Sequence, residues 1–203
     1  MNIDDEIQAD YESALEFLME GDIDSARPCL RRMMKKAPDD LRTIELSGDF
    51  ARFRGEHDKA DQLYRKLVTL SDDLEVQAIS LMNRGANYEV QGKRAEATEM
   101  YTQATDVYQQ MGDREGLVSV YSQLGNAQSE SGQLKAAAAT FAKALELVAN
   151  CDDSLENSDV NASADDDEED SYDEKLFNKY TRANLERELG QIQRMLGDLD
   201  KSV

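Results

Sequence analysis

Few residues in this chain have types and spacings that could do chemistry. His57 is the only histidine among 203 residues, so an imidazole metal site or a nucleophile–histidine–acid triad would have to be built around one residue beside Gly55. No Cys or Asp cluster accompanies it, and it reads as a solvated residue at the start of a helix. Cys29 and Cys151 lie far apart, belong to no Cys-x2-Cys spacing, and read as reduced thiols. Asp159, Asn161, Ser163 and Asp170 approach the spacing of a calcium loop. Yet Ala164 stands where that loop needs Gly, and Asp170 where it needs a bidentate Glu. Neither of the common Gly-rich phosphate loops is present. The expectation is a protein with no catalytic residues, no cofactor and no metal.

The charge narrows the choice of partners. With 43 acidic and 23 basic residues the net charge is −20, which argues against a nucleic-acid backbone and against anionic membranes, since both attract Lys and Arg. Asp152 to Glu174 holds 12 acidic residues and no basic one, and its low hydrophobicity marks residues 152–174 as a disordered acidic insert. Met1 to Tyr11 lacks the basic and apolar regions of a leader, and no apolar run approaches the length of a membrane span. The location expected from this is cytoplasmic. Hydrophobic residues make up 40%, with no Trp and 2 Pro, which suits a thin core between helix layers and not a β fold.

The helices that must carry any function show a repeating pattern. Tyr121, Leu124, Gly125 and Gln128 share one face of a first helix, while Ala137, Phe141 and Ala144 share one face of a second. Gly132 falls between them, where a tight turn needs a residue without Cβ. Small residues at Gly125 and Ala137 allow the two backbones to approach closely, so these two are expected to face each other. The pattern returns around Gly92 (Leu81, Gly85 and Tyr88 before it, Ala97, Tyr101 and Ala104 after). It returns again around Gly55 (Ile44, Gly48, Ala51; Ala60, Tyr64, Leu67) and Gly21 (Ala14, Phe17; Ala26, Leu30, Met33). Successive hinges are 34, 37 and 40 residues apart.

Four tandem copies of aromatic-x2-Leu-Gly followed by Ala-x3-Phe spacing resemble the tetratricopeptide repeat family. The resemblance implies an all-α, right-handed superhelical solenoid of antiparallel helix pairs, with full repeats at 7–40, 41–74, 78–111 and 118–151. Within it, Asp10, Arg84 and Gln128 depart from the family's apolar or aromatic positions and are expected at looser or exposed edges. Pro28 should be tolerated early in a second helix capped by Asp24 or Ser25, and Pro38-Asp39-Asp40 should end one helix and cap the next. Met111 to Gly116 lengthens the spacing in a way similar to the long-repeat subclass used by peptide-binding adaptors. From 175 to 203 the chain regains helical periodicity. Leu189-Gly190 and Gly197 copy the pattern of half a fifth repeat, whose second helix is cut to 198–203 and whose role is to cap the array.

In the family, the first helices line a concave groove for peptides. Carried onto this sequence, the stripe comprises Tyr11, Leu15, Arg42, Asp49, Arg52, Met82, Asn83, Ser122, Gln123 and Asn126, with Glu45 between Arg42 and Asp49. Family members that clamp the carboxylate of heat-shock chaperones place Lys and Asn in one repeat, Asn in the next, and Lys and Arg in a third. That set is missing here. The function expected is a non-enzymatic scaffold, a monomer or weak homo-oligomer, binding a peptide or helical segment of a partner protein. The alternatives are a dedicated client chaperone, with Met33, Met34, Met82 and Met100 as adaptable surface, and a self-assembling structural subunit.

Overall fold

The computed structural model describes residues 2–158 and 168–201, with side chains for 2–149 and 179–197. Among the described residues there are helices and turns and no strand: α1 (Ile3–Met19), α2 (Ile23–Lys36), α3 (Leu41–Phe53), α4 (His57–Leu70), α5 (Leu74–Val90), α6 (Arg94–Met111), α7 (Arg114–Glu130), α8 (Leu134–Ser158) and α9 (Glu168–Lys201). The chain divides into two compact units, Met1–Lys93 and Arg94–Val203. The division falls inside the third expected repeat.

Short polar residues start α1, α2, α3, α5 and α7. Asn2, Asp22, Asp40, Asp73 and Asp113 each accept a hydrogen bond from a backbone N–H of the first turn, supplying a partner that the helix itself cannot. The cap of α2 is therefore Asp22, not Asp24 or Ser25, because the residue just before the helix, outside its helical backbone, turns its side-chain oxygen onto the N–H of Ser25. Pro28 sits within α2.

Glycine follows α1, α3, α5, α6 and α7. Gly21, Gly55, Gly92, Gly112 and Gly132 all have φ between 70 and 78°, and the next residue's N–H reaches back to a carbonyl five positions earlier, as in Glu56 N to Ala51 O at 2.8 Å and Gln133 N to Gln128 O at 2.8 Å. The four expected hinges adopt the geometry that the pattern required. The longer spacings of the later repeats are taken up as helix: α3 has 13 residues, whereas α5 and α7 have 17, and α6 has 18 against 14 in α4.

In the first unit α1 packs on α2, α3 on α4, and α4 on α5. Its cores gather Ile7, Ala14, Leu30, Met33 and Leu46 on one side and Ile44, Ala60, Tyr64 and Leu67 on the other. In the second unit α6 packs on α7, α7 on α8, and α8 on α9. A Cβ added to Gly125 would lie 2.7 Å from the ring of Phe141, and one on Gly48 would lie 2.5 Å from the ring of Tyr64. The nearest neighbour of Gly125 is thus Phe141 and not Ala137. Helical side chains lean toward the helix N-terminus, so the ring of Phe141 lies one turn back, over the level of Ala137, and fills the room that Gly125 leaves.

The C-terminal segment differs from half a repeat. α9 runs for 34 residues without a turn at Gly197, and both Gly190 and Gly197 have nothing within 4 Å of a Cβ position. Without a partner helix folding back, no contact ends the hydrogen-bond ladder there, and helix propagation is cheap once begun. Leu185, Leu189, Ile192 and Leu196 lay one stripe of α9 on the last hairpin beside Val118, Phe141 and Val148. Helix also covers 152–158 and 168–174, the two ends of the segment expected to be disordered. Residues 159–167, which include most of the calcium-like spacing, lie outside the described residues.

Candidate partner-binding surface

In the first unit, α1, α3 and α5 present equivalent faces, and one carboxylate joins them. Tyr11 Oη donates to Glu45 Oε2 at 2.9 Å, and Asn83 Nδ2 donates to Glu45 Oε1 at 3.3 Å. The sequence makes this possible because Tyr11 and Glu45 occupy the same repeat position, 34 residues apart, and Asn83 follows that position in the next repeat. Burial raises the Glu45 carboxyl above the usual range, with the Asp49 carboxylate adding to it, while the bonds from Tyr11 and Asn83 oppose the rise. Burial, then the charge of Glu45, pushes the Tyr11 hydroxyl well above its ordinary value, so it remains a donor. Glu45 is the center of this arrangement, while the sequence marks it only as part of a stripe.

One turn along α3, Asp49 is 8% exposed and would be costly there unpaired. It accepts from Tyr64 Oη at 2.8 Å and from Arg52 Nη2 at 3.0 Å. Arg52 also lies over the ring of Phe53, 5.0 Å from its center. At the other end of α3, Arg42 reaches Asp40, Asp4 (2.5 Å) and Gln8 (2.9 Å), tying the start of α3 to the start of α1. Both groove arginines are therefore occupied within the unit. Leu15 and Met82 are half-buried, and Leu15 packs on the core below.

The remaining groove residues belong to the second unit. Ser122 and Gln123, on α7, border a cavity of about 240 Å³ with Val118, and α9 contributes Thr181, Asn184 and Leu185 to its wall. Asn126 is half-buried one turn further along α7. The structure thus brings Tyr11, Asn83, Asp49 and Arg52 around α3 and leaves Ser122, Gln123 and Asn126 on a surface that α9 partly walls.

The three departures from the family pattern are internally paired, contrary to the expectation of loose edges. Asp10 accepts from Arg32 at 2.9 Å, Arg84 donates to Asp61 at 2.8 Å, and Gln128 accepts from Thr140 at 2.8 Å. Each bond crosses between adjacent helices, which replaces apolar packing by a directed contact. Burial raises the Asp61 carboxyl, but Arg84 and Arg65 together hold it below its usual range. His57 is likewise not a freely solvated residue. Asn87, fully buried on α5, donates from Nδ2 to the His57 carbonyl at 3.0 Å and turns its Oδ1 to His57 Nδ1 at 2.9 Å, which places the hydrogen on Nδ1. A pair separated by 30 residues had no local signal in the sequence. Among the described residues, no group of three or more His, Cys, Asp and Glu is placed to hold a metal ion, and no helix is long and apolar enough to cross a membrane.

Comparison with known proteins agrees with this architecture. Residues 75–150 match the tetratricopeptide repeat family. The fold resembles Pseudomonas aeruginosa pilF, with 21% identity over 98% of this chain and 87% of that one and a TM-score of 0.58. It also resembles nearly identical TPR-like repeats of a Podosopora anserina kinesin light chain (15% identity, 96% and 92% covered, TM-score 0.57) and BtubC from P. vanneervenii (15%, 98% and 93%, 0.55). A comparison of the sequence with curated proteins finds no match. The helix pairs, the hinge glycines and these matches define the class as an all-α helical-repeat protein. Residues 75–150 thus carry tetratricopeptide repeats, and that fold supports a role in protein–protein interaction.

Proposed function

We propose that this protein is a non-enzymatic cytoplasmic scaffold that binds an extended or helical segment of a partner protein across α1, α3 and α5. The observation that carries this reading is the bridge from Tyr11 through Glu45 to Asn83. It holds three successive first helices in register and leaves amide and hydroxyl groups along one face, where a peptide backbone can exchange hydrogen bonds with them. The chaperone alternative has less support, because Met33 and Met100 are buried and only Met34 of the four methionines is well exposed. Affinity capture from cells followed by mass spectrometry supplies the partner. Calorimetry with Tyr11→Ala/Asn83→Ala is then expected to show at least tenfold weaker binding, about 1.4 kcal/mol. Equal affinity for the two proteins would remove this face as the site.

A further inference from the structure

On the side of α3 opposite Glu45 and Asp49, the first unit carries a cavity of about 300 Å³ between α2, α3 and α4. Leu30, Ile44, Phe50 and Leu63 give it an apolar lining. Around these stand Arg27, Arg54, Lys59 and Lys66 against one acid, Glu56, a reversal of sign in a chain of net charge −20. Among the described residues the cations are held by surface pairs: Arg27 with Asp24 at 2.9 Å, Arg54 and Lys59 with Glu56 at 3.0 and 3.2 Å, and Lys66 with Asp39 at 2.8 Å. With Asp24 and Asp39 counted, the rim still has one cation in excess, and exposed pairs of this kind exchange partners at little cost. Thr43 belongs to the same wall, and its hydroxyl is buried with no hydrogen-bond partner among the described residues.

We infer that this cavity is a second docking site, which takes one bulky apolar side chain of an acidic segment in a partner protein. Its volume is at the lower end for small-molecule sites, roughly 300 to 1,000 Å³, and suits a single anchor. The cations decide for a chain over a single head group. Lys59 and Lys66 are two turns apart on α4, about 10 Å, and Arg27 and Arg54 stand on other elements, so one carboxylate cannot meet them together. Several acidic residues flanking an apolar one can. The site does not depend on the α1–α3–α5 face.

Selection of a random dodecapeptide phage library on the immobilised full chain tests this, with fluorescein-labelled synthetic copies of the enriched peptides measured by anisotropy. The expected winners carry Asp or Glu around Phe, Leu or Trp. Their Kd should rise at least tenfold for Lys59→Glu/Lys66→Glu and for Arg54→Glu, Arg54 and Lys59 being exposed and Lys66 half-buried, and stay the same for Tyr11→Ala/Asn83→Ala. Met34→Glu, exposed beside the cavity, should act in the same direction, and an unchanged circular dichroism spectrum confirms that each variant is folded. Absence of acidic, apolar-anchored winners, or winners indifferent to the charge reversals, overturns the proposal. Decanoate that displaces the peptide and itself binds with the same dependence on Lys59 and Lys66 would assign the cavity to a small amphiphile instead.

Discussion

Gly125 lies against the ring of Phe141 with no space for a side chain, since a Cβ would come within 2.7 Å of it. Gly125→Leu is therefore expected to lower stability by about 1 to 3 kcal/mol, seen as a lower Tm by circular dichroism with the helical spectrum retained. Because the crowding comes from one ring, Gly125→Ala combined with Phe141→Leu should lose less than the sum of the single changes. Additive losses would mean that the ring is not what fills the space.

The opposite holds at Gly190, which lies within α9 and has nothing within 4 Å of a Cβ position. Gly190→Ala is expected to raise stability by about 0.5 to 1 kcal/mol, because alanine loses less backbone freedom in a helix. A decrease in Tm would place an unseen contact at that position.

Tyr64→Phe removes a hydroxyl from a buried carboxylate and leaves Asp49 with Arg52 as its partner. The expected cost is about 1 to 3 kcal/mol by urea unfolding, larger than for Tyr180→Phe, whose ring is exposed. Similar losses in the two variants would show that the Asp49 contact contributes nothing measurable.

Glu45 gives stability a specific dependence on pH. Its carboxyl is raised in the folded state, so folding is most favored below the ordinary carboxyl value and loses stability as pH rises through the raised value. Glu45→Gln removes this leg, so the Tm of the wild type relative to the variant should fall between about pH 4 and the raised value, and level off above it. Parallel curves for the two proteins would contradict the burial of this group.

Asp61 behaves in the reverse sense, since its folded-state carboxyl is lowered by Arg84 and Arg65. Its contribution is present above the ordinary carboxyl value and lost as pH falls through the lowered one. Asp61→Asn should cost about 1 kcal/mol at pH 7, a partly exposed pair being screened, and the gap to wild type should close below about pH 4. A gap that persists in acid would point to lost packing.

These residues also show what the sequence could reveal. The hinge positions were legible because a left-handed backbone leaves glycine as the favored choice, and each hinge is marked by its own residue. The facing of Gly125 is not legible, because small residues on both helices suggest a direct meeting, whereas the ring of Phe141 leans back a turn and occupies the space. Gly190 and Gly197 carry the same letters without the same role, since α9 continues as helix through both and no side chain crowds either Cβ position. The stripe of candidate binding residues was legible from repeat position, but its chemistry was not. Glu45 gains its meaning from Tyr11 and Asn83, and the occupation of Arg42 by Asp4 and Asp40 depends on side-chain reach. Arg84 departs from the repeat pattern in the sequence, and only the folded chain brings its partner Asp61 beside it on the neighboring helix.

The bonds on Glu45 span 34 residues toward α1 and 38 toward α5. A chain leaving the ribosome meets such partners in order, since Tyr11 is already waiting when Glu45 emerges and Asn83 arrives about one repeat later. Interactions between near neighbors in sequence close small loops and favor rapid folding. Assembly of this face can thus keep pace with synthesis, each new first helix being fastened to the one before it while the rest of the protein is still being made.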